Sequence, residues 1–152
     1  MGALESFLLQ RGIKTLALRM REQSQSALTI ARWRESNHSV TRVLYPGLAS
    51  HTNHERAKQY MGDQFGAMIS FEIDGDFAKT KQVCQSTKLF GLAVSLGAVE
   101  SLIEQPASMS HASYDAEARA KYGIADTLIR ISVGLEDPQD LIEDLEQAIQ
   151  FS

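Results

Sequence analysis

A single cysteine, Cys84, leaves this 152-residue chain without an internal disulfide, which sets aside the stapled secreted scaffolds. Long apolar runs are missing as well. No stretch approaches the roughly 20 residues that cross a bilayer or forms the apolar core of a signal peptide. Basic charge is in deficit: 15 Lys and Arg against 19 Asp and Glu give a formal charge of −4 and a pI near 5.5. Nucleic-acid and membrane-surface binders need a basic stripe, so neither partner is expected. There is no phosphate-binding glycine loop, no Cys/His zinc cluster, no Gly-x-Ser-x-Gly elbow and no His-Glu-x-x-His. Repeats and low-complexity segments are absent too. What is present, 43% hydrophobic and 22% charged residues, is the composition of a globular domain able to bury its own core. A cytoplasmic setting is the default expectation.

The stretch Leu128-Ile129-Arg130-Ile131-Ser132-Val133 reads as a β-strand, because aliphatic and β-branched residues dominate it. A side-chain period of two puts Ile129, Ile131 and Val133 on one face and sends Arg130 and Ser132 the other way. A guanidinium on that face has a planar fork matching the two oxygens of a carboxylate ligand. The plainer reading is a surface arginine paired with one of the many acidic residues.

The rest of the chain is organised around that strand. The chain begins in the body of a structured element, at Ala3-Leu4-Glu5-Ser6-Phe7, which predicts a fragment of a longer protein; a compact domain with an N-terminal helix is the simpler alternative. From Leu4 to Glu35, Ile13, Leu16, Ala17, Met20, Ala27 and Ala31 recur at helical intervals, with a bend expected near Gly12, where glycine costs about 1 kcal/mol relative to alanine. Asn37 and His38 are expected to end the helix. A strand over 40–45, a helix over 50–61 capped by Ser50 or Thr52, and a strand over 67–73 follow. Asp76 caps a helix from Phe77 to about Gln85, in which Cys84 serves as a small hydrophobe. His51 and His54 have a metal-compatible spacing but no third ligand at helical spacing. A third strand is expected within 99–103, then a loop, a short helix over 115–122, the opening strand, and a final helix begun by Asp137 and Pro138. Residues 1–36 thus form a long helix leading into an α+β domain over 37–152. Its small, mostly antiparallel sheet carries helices on one face and leaves the Arg130 face open. The irregular backbone at Val94-Ser95-Leu96-Gly97 and Arg130 on that face would both suit an anion.

The run from Leu89 to His111, LFGLAVSLGAVESLIEQPASMSH, resembles the C-terminal signature of the Cys/Met-metabolism pyridoxal-phosphate enzymes, the trans-sulfuration family. Leu9 to Leu16, Tyr45-Pro46-Gly47-Leu48 with Ser50-His51, and Leu128 to Asp137 resemble the same family, in its order and over nearly the whole chain. The resemblance implies the C-terminal domain of a fold-type I enzyme, with the helix that leads into it. It implies that Arg130 binds the substrate's α-carboxylate, that Ser95 and Leu96 add backbone contacts, and that Ser110 stands near the substrate where members often carry Thr. Val94 occupies a position where many members have Glu; a carboxylate there can pair with the distal amino group of cystathionine, whereas valine suits a short apolar thioether.

The family's Schiff-base lysine sits in a Ser-x-Thr-Lys setting, and none of Lys14, Lys58, Lys79, Lys81, Lys88 or Lys121 does. The lysine, the Asp paired with the pyridine nitrogen, the stacking Tyr and the phosphate cup belong to an N-terminal domain absent from this chain. The resemblance therefore implies a parent carbon–sulfur lyase acting by γ-elimination on methionine, homocysteine or cystathionine, and assembled as the family's tetramer. This chain alone is then expected to hold no cofactor, contain no catalytic residue or metal, and be inactive. The alternatives are a γ-replacement enzyme (cystathionine γ-synthase or O-acylhomoserine sulfhydrylase) and a stand-alone non-catalytic interaction domain.

Overall fold

The computed structural model describes residues 1–36 and 39–150. Asn37 and His38, the expected helix end, lie outside the described residues. Helix α1 (Ala3–Ile13) is followed, after a break at Lys14 and Thr15, by α2 (Leu16–Ser36). The expected apolar stripe is buried only from Gln23 of α2 onward, and Leu16 stays 44% exposed. In α2 the side chains of Ser24, Ala27, Ile30, Ala31 and Arg34 are buried, whereas α1 buries none and leaves Leu4, Phe7, Leu8 and Ile13 more than half exposed.

Strand β1 (Val40–Leu44), helix α3 (His54–Met61), strand β2 (Met68–Ile73) and helix α4 (Phe77–Ser86) come next. The strict alternation of burial along β2, with Ile69, Phe71 and Ile73 inward, follows from the side-chain period of two. Asp76 caps α4 as its sequence predicts, its carboxylate accepting from the Lys79 amide at 2.9 Å. Helix α3 starts later than expected. The chain turns through Ser50 to Asn53 before His54, and Ser50 spends its hydroxyl on Glu35 of α2 instead of capping.

The apolar section from Leu89 onward contains two short strands, β3 (Gly91–Leu92) and β4 (Leu102–Glu104). The third strand was expected within 99–103; it begins three residues later, at Leu102, because the Val99 carbonyl and the Ser101 amide and hydroxyl are held by Leu135, Glu136 and Gly134, while the Ser101 carbonyl accepts from Gly91 of β3. Helix α5 (Ala116–Lys121), capped by Asp115, then leads to β5 (Leu128–Ser132) and α6 (Pro138–Gln150). Sheet order is β1-β2-β5-β4-β3, antiparallel except for the β3–β4 pair. The strand bearing Arg130 is therefore central.

Helices α2, α4 and α6 pack on one face, where Ile69, Phe71, Ile103, Ile129, Ile131 and Val133 meet Ile30, Val83, Leu141 and Leu145 in a continuous core. Each such side chain contributes about 1.5–3 kcal/mol on burial, against at most about 1 kcal/mol for an exposed ion pair such as Arg42 with Glu72. The apolar layer thus decides the arrangement. The opposite face is not open, contrary to expectation. Leu102, Glu104, Leu128 and Ser132 on it are buried, and the loop over 93–101 is hydrogen-bonded to Ser132 and Arg130.

Candidate functional site

Antiparallel register places Ser70, Arg130 and Glu104 side by side across three strands, so their side chains share the second face of the sheet. Arg130 Nη1 lies 2.9 Å from Glu104 Oε1. Its Nη2 donates to the Val94 carbonyl at 2.7 Å and reaches the Ser95 carbonyl at 3.5 Å. The two ends of the ion pair differ sharply in exposure: the Arg130 side chain keeps 23% of its surface accessible and Glu104 keeps 1%. Ser110 donates its hydroxyl to the same Glu104 Oε1 at 3.0 Å, and His111 Nδ1 is 3.0 Å from that hydroxyl.

The loop that meets Arg130 has little regular structure but is held at many points. Gly97, with φ of +75°, takes a conformation that glycine adopts without steric cost and donates its amide to Ser132 Oγ at 2.9 Å. Gln23 of α2 donates to the Ala98 carbonyl at 2.7 Å. Ser101 donates its amide and its hydroxyl to the two Glu136 oxygens at 2.8 Å, accepts the Gly134 amide at 2.8 Å, and is fully buried. Among the described residues, the amides of Val94, Ser95 and Leu96 have no hydrogen-bond partner. The carbonyl and N–H of one trans peptide point in opposite directions. With the Val94 and Ser95 carbonyls turned to the guanidinium, the Ser95 and Leu96 amides face away from it.

Of the residues singled out in the sequence, Val94 and Ser95 meet Arg130 directly, through their carbonyls. Ser110 reaches Arg130 only by way of Glu104. Leu96 is 57% exposed and Val94 52%. The residue that sequence reasoning missed is Glu104. Its signal was a carboxylate between Ile103 and a buried Gln105-Pro106-Ala107 run, where an acid needs a partner.

The other sequence candidates are accounted for. His54 Nδ1 is bonded to the Pro46 carbonyl and its ring lies 5.6 Å from that of Phe65, while His51 Nδ1 accepts the Asn53 amide. No group of three metal-ligating side chains occurs among the described residues. Burial, reinforced by Glu104, pushes the Cys84 thiol up to about 12, so it is not a nucleophile near neutral pH. No helix among the described residues is long and apolar enough to cross a membrane.

The α+β domain presents on its central strand a carboxylate-paired, partly accessible guanidinium beneath a pinned loop, and comparison with known proteins supplies its class. A family model for the Cys/Met metabolism PLP-dependent enzymes matches residues 1–150. The chain belongs to that family. It is 50% identical over 145 residues to a cystathionine beta-lyase of Coxiella burnetii, covering 95% of this chain and 37% of the relative. It is 45% identical over 150 residues to an L-methionine gamma-lyase of Fusobacterium nucleatum, covering 99% and 38%. The crystal structure of a cystathione gamma lyase from Micromonospora echinospora superposes with a TM-score of 0.92 at 44% identity, covering 98% of this chain and 39% of that one. The chain thus spans well under half the length of these relatives.

Proposed function

We propose that this chain is the substrate-carboxylate-binding, C-terminal part of a pyridoxal-phosphate-dependent carbon–sulfur lyase that acts by γ-elimination on a sulfur amino acid. The observation that carries the reading is Arg130. Its guanidinium is fixed on the central strand by a buried carboxylate and remains partly accessible beside a loop with three unpartnered amides. A charged carboxylate is a stronger partner for guanidinium than the neutral Val94 carbonyl. An amino acid's carboxylate therefore displaces that carbonyl from Nη2, and the loop amides of Ser95 and Leu96 turn toward it. Val94 faces the substrate's sulfur side, where an apolar residue favours methionine or homocysteine over the second amino group of cystathionine.

Residues 1–36 act as the connecting helix, 37–152 as the domain, and an N-terminal domain supplies the cofactor site and the chemistry. Pyridoxal phosphate serves the family as the electron sink for carbanion formation. This chain's own residues do not fit it: Lys14, Lys58, Lys81, Lys88 and Lys121 are exposed, Lys79 is half-buried, and the one guanidinium of the site is already engaged. The chain by itself is therefore inactive. The apolar side chains that α1 leaves exposed are buried in a homo-oligomer of the parent protein, in the cytoplasm.

The test is kinetic, on the full-length protein that carries this chain. Arg130→Ala is expected to raise KM for the amino acid by about 10- to 150-fold, the loss of a charge-assisted pair, while leaving cofactor absorbance unchanged. Unaltered KM would refute the carboxylate role. Methionine, cystathionine and an O-acylated homoserine offered in parallel separate elimination from replacement, and turnover of the last alone excludes the lyase. Relatives 50% identical to this chain are named both cystathionine beta-lyase and cystathionine gamma-lyase; the products from cystathionine decide between β- and γ-elimination.

A further inference from the structure

Glu104 is the least accessible charge of the site, and its surroundings are built to keep it so. Leu102, Ile103, Gln105 and Pro106 on either side of it are buried, and its Oε2 oxygen has no hydrogen-bond partner. All of its polar contacts fall on Oε1, which takes Arg130 Nη1 at 2.9 Å and the Ser110 hydroxyl at 3.0 Å. A carboxylate desolvated to this degree is costly unless a cation compensates it, and Arg130 is the cation in contact with it.

The two partners are not equivalent. Glu104 is sealed in, while Arg130 retains an accessible edge. Partial exposure lowers the desolvation cost of Arg130 and at the same time leaves one edge of its fork reachable. A pair that aims a guanidinium outward needs this asymmetry, because the buried member fixes the plane of the fork and the free edge meets the ligand.

We infer that Glu104 is a positioning residue: it orients Arg130 for an incoming amino-acid carboxylate, and Ser110 acts through Glu104 instead of touching the substrate. This rests on the carboxylate-anchor reading of Arg130. It extends that reading by two residues and removes Ser110 from the set of direct contacts. Ser110 and His111 then form an outer layer that holds Oε1, in the way partners behind a ligating group fix its direction.

The experiment uses the full-length protein and compares Glu104→Gln, Glu104→Asp, Ser110→Ala and Arg130→Lys. The readouts are KM, kcat, cofactor absorbance, thermal midpoint, and inhibition by two substrate analogues, one with the α-carboxylate and one without it. Glu104→Gln keeps the shape and removes the charge. It is expected to raise KM about tenfold, with kcat changed by less than about threefold, the scale of one charge-assisted contact. Binding of the carboxylate-free analogue stays the same as in the parent protein. Glu104→Asp recovers most of the loss, and Ser110→Ala shifts KM the same way by about two- to fivefold, as for a neutral hydrogen bond. If Glu104→Gln lowers the thermal midpoint but leaves KM alone, or weakens both analogues equally, the pair is structural and the inference is overturned. If Arg130→Lys raises KM while Glu104→Gln and Glu104→Asp do not, the anchor stands and the positioning role fails. If none of the Arg130 and Glu104 variants moves KM, the anchor reading itself fails.

Discussion

Replacing Arg34 by leucine is expected to stabilise this fold. Arg34 is 0% exposed on α2, and none of its three guanidinium nitrogens has a hydrogen-bond partner. Its charge is held between two rings, 4.0 Å from the Trp33 centroid and 4.7 Å from that of Phe71. Burial drives its pKa down to about 9, with Glu146 opposing the fall. From an ordinary arginine value of about 12.5, at about 1.4 kcal/mol per pKa unit, the charged form is penalised by about 5 kcal/mol. The two ring contacts return about 0.5–2 kcal/mol each, and the smaller leucine leaves space costing about 1 kcal/mol. The balance is about 0–3 kcal/mol in favour of Arg34→Leu, centred on about 1.5 kcal/mol, which is about 3–6 °C in Tm for a chain of this size.

The pH dependence has a definite sign. Because the folded pKa is depressed, both states are charged below about pH 9 and the penalty is felt in full. Above pH 9 the folded form sheds the proton that the unfolded chain keeps, so the parent protein gains stability as pH rises. Urea unfolding of parent and variant should give a constant gap up to about pH 8.5. The gap should narrow from there to about pH 10.5. Loss of more than about 1 kcal/mol in Arg34→Leu, beyond the cavity cost, or a gap independent of pH, would mean that Arg34 is compensated in the fold.

Other expectations come from equally local features. Asp144 on α6 is 5% exposed and accepts the amides of Lys88 at 2.8 Å, Leu89 at 2.8 Å and Phe90 at 3.3 Å; Asp144→Ala orphans three donors and should cost about 2–4 kcal/mol in urea unfolding. A Cβ on Gly134 would run into the Val99 carbonyl oxygen and come within 2.6 Å of the Glu100 carbonyl carbon. Gly134→Ala should therefore lower Tm by several degrees, roughly 2 kcal/mol, and loosen the loop over 94–101 to hydrogen exchange. With its thiol pushed up to about 12 and 2% exposed, Cys84 should resist alkylation at pH 8 until urea unfolds the chain; rapid labelling of the native protein would contradict its burial.

Much of this architecture was legible in the order of residues. The period of two along 128–132 assigned faces correctly, since a buried face tolerates no polar residue without a partner. Asp76 and Asp137 announced two helix starts, because a carboxylate at that position satisfies amides that the helix leaves free. The weaker signals misled. Ser50 and Thr52 are equally good capping residues, yet Ser50 bonds Glu35 from another helix. The strand expected within 99–103 starts only at Leu102 because the Val99 carbonyl and the Ser101 amide are taken by Leu135 and Glu136, in the segment after β5.

What the sequence determined by itself was the α+β class, the inward and outward faces of the central strand, the family signature and Arg130 as its charged outward residue. These depend on local periodicity and on residue types along one continuous stretch. Only the tertiary structure decided what Arg130 touches. Glu104 becomes its partner because β4 and β5, distant in sequence, pair in one register, and the apparently open face is roofed by a loop tied to α2, to β5 and to the segment after β5. Periodicity orients a side chain, but strand order and register choose its neighbour, and here the neighbour is a buried carboxylate that directs the guanidinium outward.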